Sequence, residues 1–511
     1  MADFSWATSI LVAVITLVLS RKLLSFVSFS ARSRRNGCKA PARYPHKDPI
    51  LGLDYFMTQM KERKEGNSLA GQRDRFARLG HTYEVNSWGT RTIQTMDPQN
   101  IHEVLVTSFD KFGVQEMRLS VGMPFLGPGV FSTDGRYWAI SRKMIKPAFS
   151  VNPFISDFEA FDVHVDRMLK RLPRDGSTIE LQSLLKFMYL DHSTAMIFGK
   201  STDILLQKTL DESSSELLET YSAAVSRLGL RILLGRLWIF NAWDKAYEAL
   251  ARRIHAVIDK YIDEAIERRR RRRENPLGQP DPYQRSIVDS LLAISGIREE
   301  VRDQLVNIFL PARDAAAVGL SACLFHLARH PDVWNKLRAE VLSIQGPLTR
   351  QALLSLPYMQ AVLNESLRLN SPAAGNRRRC TQDCVLPTGG GRDGKSPVFV
   401  SKGDGIEVVM GAMHYDQEIW GPDADKFRPE RWLEGSAEEL SSFYMPFSIG
   451  KRICPGKDLT LAENAYVIAR LMRQFKSLEN HDPVMEFVEL SKLTTESRNG
   501  VLVGLILEDA S

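Results

Sequence analysis

Residues 447–456 read FSIGKRICPG, and residues 457–475 continue as KDLTLAENAYVIARLMRQF. Cys454 stands directly before Pro455, and proline is favoured at the first position of a helix. The apolar spacing behind it predicts a helix. A cysteine in that place meets unpaired backbone N–H groups and the positive end of a helix dipole, and both favour thiolate over thiol. Gly450 and Gly456 leave the backbone free to approach something flat. Arg452, two residues before the sulfur, offers a fixed cation to a nearby anionic group. Phe447 supplies a ring able to pack on the sulfur and shield it.

A thiolate with a cation beside it, a shielding ring and no second metal ligand suits an axial ligand to haem iron. On these residues alone, a structural cysteine at a helix start or a redox-active thiol remains open. The rest of the 511-residue chain narrows the setting. With 44% hydrophobic and 25% charged residues it is ordinary globular material, not disordered, collagen-like or polytopic. Five cysteines are too few for a disulfide scaffold. Cys380 and Cys384 have the spacing of half a zinc site, but no second Cys/His pair follows.

Charge is unevenly placed. Residues 1–47 carry eight basic groups and one acid, Asp3, so they hold +7 of an overall +6 and leave the rest at −1. A nucleic-acid binder is not what this distribution describes. Residues 4–20, FSWATSILVAVITLVLS, lack a charge and sit at the short limit of a bilayer span, which is about 17 residues. The basic cluster follows the apolar run instead of preceding it, which favours a retained anchor over a signal peptide. The positive-inside rule then puts the N-terminus in the lumen and the remainder in the cytoplasm. Pro41, Pro45 and Pro49 read as a stiff, non-helical connector. The predicted division is an anchor over 1–21, a basic, proline-rich connector over 22–50 and a catalytic body over 51–511.

Within that body, residues 155–171, 241–273, 334–344 and 356–370 have helical patterns. Residues 298–330 form a mostly apolar run that predicts one long central helix. Residues 398–400 and 406–410 have strand character. ERRRRRRE at 267–274 reads as a solvated helix end running into a loop, with a contact to anionic lipid as the minor reading.

The chain resembles the cytochrome P450 family. The signature F-x-x-G-x-R-x-C-x-G is met at Phe447, Gly450, Arg452, Cys454 and Gly456. Glu365-x-x-Arg368 precedes it, and FRPERW at 427–432 supplies Arg431. In the family these three form a buried charge network, which survives only when every member is paired. Trp138 and Arg142, four apart on one helical face, match the pair that meets the haem carboxylates. Arg378 and Arg452 match two further carboxylate-facing positions. Arg377 and Arg379 flank Arg378, so that alignment can slip by one. His414 falls where a strand nears the haem edge, and a core or loop histidine is the favoured reading.

The resemblance implies a mainly α fold with small β-sheets, one large haem domain behind a transmembrane helix. It implies haem b ligated by the Cys454 thiolate, with NADPH electrons delivered by a reductase in the same endoplasmic reticulum membrane. Lys143, Lys146, Lys451 and Lys457 are candidates for the docking face. By family position the pocket draws on residues 112–122, 306–317, 371–375 and 494–500, among them Arg118, Arg313 and Arg498. The implied activity is monooxygenation of a lipophilic small molecule. The stretch GAMHYDQEIWGPDADKFRPERW resembles fungal members, so a specialised-metabolite role and fatty-acid or alkane hydroxylation both stand.

One departure matters. The family's A/G-G-x-D/E-T appears here as Pro311-Ala312-Arg313-Asp314-Ala315. Asp314 keeps the acid that, with the threonine hydroxyl, holds water for protonating dioxygen. Ala315 removes the hydroxyl, and Pro311 is expected to kink the helix. Water on Asp314 alone, a substrate hydroxyl, or a reaction without dioxygen activation (isomerisation or dehydration) are the outcomes left open. A haem carrier or sensor without turnover is a further rival.

Overall fold

The N-terminal helix continues past Arg21. In a computed structural model of the chain, helix α1 spans Ala2–Arg35 and ends with Arg32, Arg34 and Arg35 in its last turn, where cations suit the helix dipole. Gly37, at φ +65°, turns the chain out of it. The described residues are 2–150, 158–207, 212–241, 243–274, 286–434 and 437–508. The expected loop after the arginine run, at 275–285, lies outside them, as do residues 155–157 of one predicted helix.

The chain divides into two compact units. The smaller takes the chain up to Tyr55, Asp74–Phe112 and Arg377–Val408. It is built on a sheet with strand order Ala42–Arg43, Thr82–Ser87, Thr90–Thr95, Gly405–Val408, Asn376–Cys380 and Phe112–Gly113. Proline-flanked residues 42–43 thus join the sheet edge, pairing in parallel with Tyr83 and Glu84. A hairpin of Cys384–Gly390 and Ser396–Val400 completes this unit. Arg91 bridges Glu84 and Asp404, joining neighbouring strands by charge.

The larger unit takes Phe56–Arg73, Gly113–Asn376 and the chain from Val409. Its principal helices are α2 (Gly135–Ser150), α3 (Leu181–Phe198), α4 (Glu212–Leu233), α5 (Lys245–Glu274), α6 (Arg298–Arg329), α7 (Pro357–Leu369) and α8 (Lys457–Gln474). The 334–344 pattern is realised as Pro331–Leu342, and the 155–171 pattern as Glu159–Leu169. Met410, expected at the end of a strand, begins the short helix Met410–Met413 instead.

Helix α6 organises this unit. Glu299 and Glu300 in its first turn and Arg329 in its last complement its dipole, and Pro331 starts the next helix. It is long and apolar enough to cross a membrane, yet 67% of its apolar window is buried inside the protein. It packs against α3, α5 and α7. Each fully buried leucine or phenylalanine here contributes about 1.5–3 kcal/mol. Residues 304–309 and 316–328 are all buried, whereas 310–315 between them are half-buried. The helix runs on through Pro311, so the proline does not end it.

Candidate active site

The cysteine loop is closed by its own backbone. Cys454 donates its N–H to the Phe447 carbonyl at 3.0 Å, and Ile453 donates to Gly450 at 3.1 Å. Gly450 sits at φ +73°, a conformation that costs a residue with a Cβ. Helix α8 begins at Lys457 with Gly456 as its N-cap. Pro455 therefore precedes the helix and does not occupy its first position as the sequence suggested. Burial acts against the thiolate in the metal-free chain. Burial pushes the Cys454 thiol above its ordinary value of 9.0, outweighing the Gly456 N–H and the nearby Arg142 guanidinium. The residue is nevertheless exposed. The sulfur is crowded by protein and still reachable.

Three arginines, Arg142, Arg378 and Arg452, were expected to face the haem carboxylates, and two of them lie in the larger unit. Arg452 donates to the carbonyls of Val130 (3.1 Å) and Thr133 (2.7 Å) and to Asp134 at 2.6 Å. Its guanidinium lies 4.7 Å from the centre of the Trp138 ring. Asp134 also accepts the N–H groups of Val114 and Gln115 at 2.8 and 2.7 Å. Arg142 reaches the Ile453 carbonyl at 2.7 Å, next to the cysteine. Arg118 donates to the Phe131 carbonyl at 3.3 Å, and burial lowers its pKa. Arg452 is pushed down to about 10, first by burial, with Arg118 and Arg142 adding repulsion against the attraction of Asp134. Arg378 lies in the smaller unit, buried, and bonds the Arg377 carbonyl at 3.3 Å. Arg377 pairs with Glu407 at 2.9 Å, and Arg379 donates to the Gly403 carbonyl at 2.6 Å.

Glu365, Arg368 and Arg431 come together as one network. Glu365 Oε1 accepts from Arg368 Nη2 (2.8 Å), Arg431 Nε (2.9 Å) and the Arg428 N–H (3.0 Å). Its Oε2 accepts from Arg368 Nε (2.9 Å) and the Trp432 indole (3.0 Å). Burial alone would raise the Glu365 pKa, but the two guanidiniums overcome it and hold the group below 4.5. Arg368 goes on to the carbonyls of His414 (2.5 Å) and Ala424 (2.7 Å). His414 is fully buried, and its Nε2 accepts the Met445 N–H at 3.1 Å. It therefore joins the network to the chain just ahead of Phe447, a core role with a definite partner.

On α6, Asp314 and Ala315 fall within the half-buried stretch 310–315. Arg313 Nε lies 3.5 Å from Asp314 Oδ1, and its guanidinium sits 4.9 Å from the centre of the Tyr221 ring on α4. The Tyr221 hydroxyl donates to the Leu310 carbonyl at 3.4 Å. Asp314 thus has a cation beside it in place of the missing hydroxyl. Arg498, expected near the pocket, is exposed and clamps the carbonyls of Arg63, Glu65 and Glu489.

A family model described as Cytochrome P450 matches residues 49–503. The chain belongs to the cytochrome P450 family. Among curated proteins it is 36% identical over 499 residues to the cytochrome P450 monooxygenase iccC of Talaromyces variabilis, covering 96% of each chain. It is 34% identical to the monooxygenase apdE of Emericella nidulans, covering 95% of this chain and 92% of that one. It is 33% identical to the monooxygenase iliC of a Neonectria species, covering 99% and 98%. This P450 is accordingly an oxidoreductase of the monooxygenase type.

Family membership implies haem with thiolate ligation, and the residues of this P450 fit it. A soft sulfur donor is exposed, and Arg118 and Arg142 lie close enough to Arg452 to repel it, while Asp134 attracts Arg118 and Arg452. Such a cation set suits a group carrying two carboxylates. Iron, once bound, deprotonates a coordinating thiol outright, so burial that disfavours a free thiolate does not oppose ligation. Asp134 escaped the sequence reading, although an acid directly ahead of helix α2 is a recognisable N-terminal signal. Arg118 was expected only as pocket lining, and nothing local ties it to Arg452 or Tyr221 to Arg313 on another helix.

Proposed function

We propose that this P450 is a membrane-anchored haem-thiolate monooxygenase that oxidises a lipophilic small molecule of fungal specialised metabolism. The observation that carries this reading is the half-buried stretch 310–315 in the middle of an otherwise buried helix, with Asp314 and Ala315 in it. A buried helix is opened in mid-course where a ligand has to reach it. The mixed surface there, Leu310, Ala312 and Ala315 beside Arg313 and Asp314, suits an apolar body with one polar end.

Bound haem supplies the dioxygen-activating iron chemistry. The chain's own residues hold it and shape what reaches it. Cys454 would ligate its iron, and Arg142 and Arg452 would hold its carboxylates, with the Trp138 ring 4.7 Å from the Arg452 guanidinium. Glu365, Arg368 and Arg431 keep the loop in place from behind. Asp314 would hold water for proton delivery, with the Arg313 guanidinium 3.5 Å away. Lys143, Lys146, Lys451 and Lys457 are all exposed, which supports a cationic docking face for NADPH–cytochrome reductase. The apolar residues 4–20 within α1 support a single span in the endoplasmic reticulum membrane with the body in the cytoplasm.

Ala315 favours one second reading, a haem-thiolate isomerase or dehydratase that needs no dioxygen. Co-expression with a reductase, followed by untargeted metabolite comparison against Cys454→Ala, identifies the product. Isotopically labelled dioxygen then decides between the two: label in the product supports the monooxygenase, and its absence with turnover intact supports the rival. A hydroxylated fatty acid or alkane as product would replace the specialised-metabolite assignment.

A further inference from the structure

Cys380 and Cys384 take no part in the haem site, and both belong to the smaller unit. Cys380 is the last residue of strand Asn376–Cys380, and Cys384 is the first of strand Cys384–Gly390. The turn between them, Thr381, Gln382 and Asp383, is exposed, whereas the two cysteines are 1% and 5% exposed. Their sulfurs are 3.5 Å apart. Both backbones are pinned. Cys380 donates its N–H to Asp404 and accepts from Gly403, and Cys384 lies opposite Val400 in its hairpin. The Cys380 thiol donates to the Gln382 carbonyl of the exposed turn at 2.9 Å.

The two sulfurs are therefore in contact without being bonded, each on a fixed strand end, beneath three exposed residues. Bond formation needs an approach of about 1.5 Å, within the reach of side-chain rotation. A zinc site is not what this is: among the described residues the one cluster of potential metal ligands is elsewhere and includes neither cysteine. Two sulfurs and no third ligand match the two-thiol grip of a trivalent arsenical, or a disulfide.

We infer that Cys380 and Cys384 form a reactive dithiol site, which binds a trivalent arsenical across both sulfurs and closes to an intrachain disulfide with a peroxide. In the closing step one thiol attacks the peroxide, giving a sulfenic acid and water. The second thiol displaces water from that sulfenic acid, forming the S–S bond. Two thiols are oxidised and one peroxide is reduced to two waters. Burial makes the pair slow and dependent on local opening of the Thr381–Asp383 turn, so a cytoplasmic protein would hold it reduced until peroxide rises.

The test uses the full-length haem-loaded protein. It is reduced, desalted and treated with hydrogen peroxide or with phenylarsine oxide. Free thiols are then alkylated under denaturing conditions, and trypsin is applied without reductant. Cleavage after Arg379 and Arg392 places both cysteines on one peptide. After peroxide that peptide should be unalkylated and lighter by two hydrogens. After the arsenical it should carry one phenylarsine unit and no alkyl group. In Cys384→Ser, with folding checked by circular dichroism, Cys380 should stay alkylatable after the arsenical and should form no intrachain disulfide after peroxide. Two alkylated cysteines after peroxide, separate sulfinic acids, or arsenical protection of Cys380 persisting in Cys384→Ser would each overturn the inference.

Discussion

Replacing Glu365 tests whether the buried charge network carries as much of the stability as its geometry implies. Its carboxylate accepts five hydrogen bonds, three of them from guanidiniums. In Glu365→Gln the surviving oxygen can keep the three donors now on Oε1. The new NH2 then faces Arg368 Nε and the Trp432 indole, donor against donor. Two bonds are lost, two donors are orphaned, and the buried positive charge is no longer balanced. Removing one partner of a buried ion pair costs about 3–5 kcal/mol. Against an unfolding slope of about 3 kcal/mol per molar or more for a chain of this size, the urea midpoint should fall by on the order of 1 M. Glu365→Ala abandons all five bonds. At about 1.5–3 kcal/mol for each charged bond it approaches the whole stability of a domain, so holoprotein should not accumulate. Glu430→Gln is the control, since Glu430 pairs with the exposed Lys336 and the expected cost is about 0–1 kcal/mol. The assay is urea unfolding by circular dichroism, read as midpoints because a haem protein of this size need not be two-state. A Glu365→Gln midpoint indistinguishable from that of Glu430→Gln would refute the reasoning. The pH dependence follows from the same geometry. The folded pKa of Glu365 is depressed, so its contribution is present above the unfolded value near 4.5 and is lost as pH falls through the folded one. That acid limb should be missing from Glu365→Gln.

Further outcomes are expected elsewhere. His414 is pushed down to about 3 by burial, with Arg368 adding repulsion, so its neutral form stabilises the fold above about 6.5 and loses that contribution as pH drops towards 3. His414→Gln should flatten the stability profile across that window, and an unchanged profile would argue against the histidine as its source. Arg452→Leu strips donors from Val130, Thr133 and Asp134 and leaves the carboxylate without this cation. It should lower haem retention on gel filtration, with Arg452→Lys intermediate because ammonium cannot reproduce the fork. Ala315→Thr should raise the ratio of product formed to NADPH consumed if the missing hydroxyl limits proton delivery; an unchanged ratio means that this hydroxyl is not limiting. Cys454→Ala should abolish the thiolate-shifted carbon monoxide spectrum of the reduced protein, and persistence of that spectrum would remove Cys454 as the ligand.

Several features were legible because they depend on spacing along one element. The three-residue step from Glu365 to Arg368 puts both on one face of α7, wherever that helix is packed. The apolar run 298–330 marks a core helix by length and composition, and α6 ends within one residue of that reading. The loop from Phe447 to Cys454 carries its own closure, since its glycine and its backbone bond lie within ten residues. Even the uneven charge, +7 in the first 47 residues, is a matter of counting.

What tertiary structure alone decided are partners and environments. Asp134 meets Arg452 across more than 300 residues, His414 ties Met445 to Arg368, and Tyr221 stacks on Arg313 from another helix. No local period encodes such meetings, because they depend on where the chain returns after long excursions. The clearest case is Cys454 itself. Its position before a helix argues for the thiolate that family membership implies, while burial, which only the assembled fold supplies, acts the other way on the free thiol. A charge's environment is set by everything packed around it, and a linear sequence lists only its two neighbours.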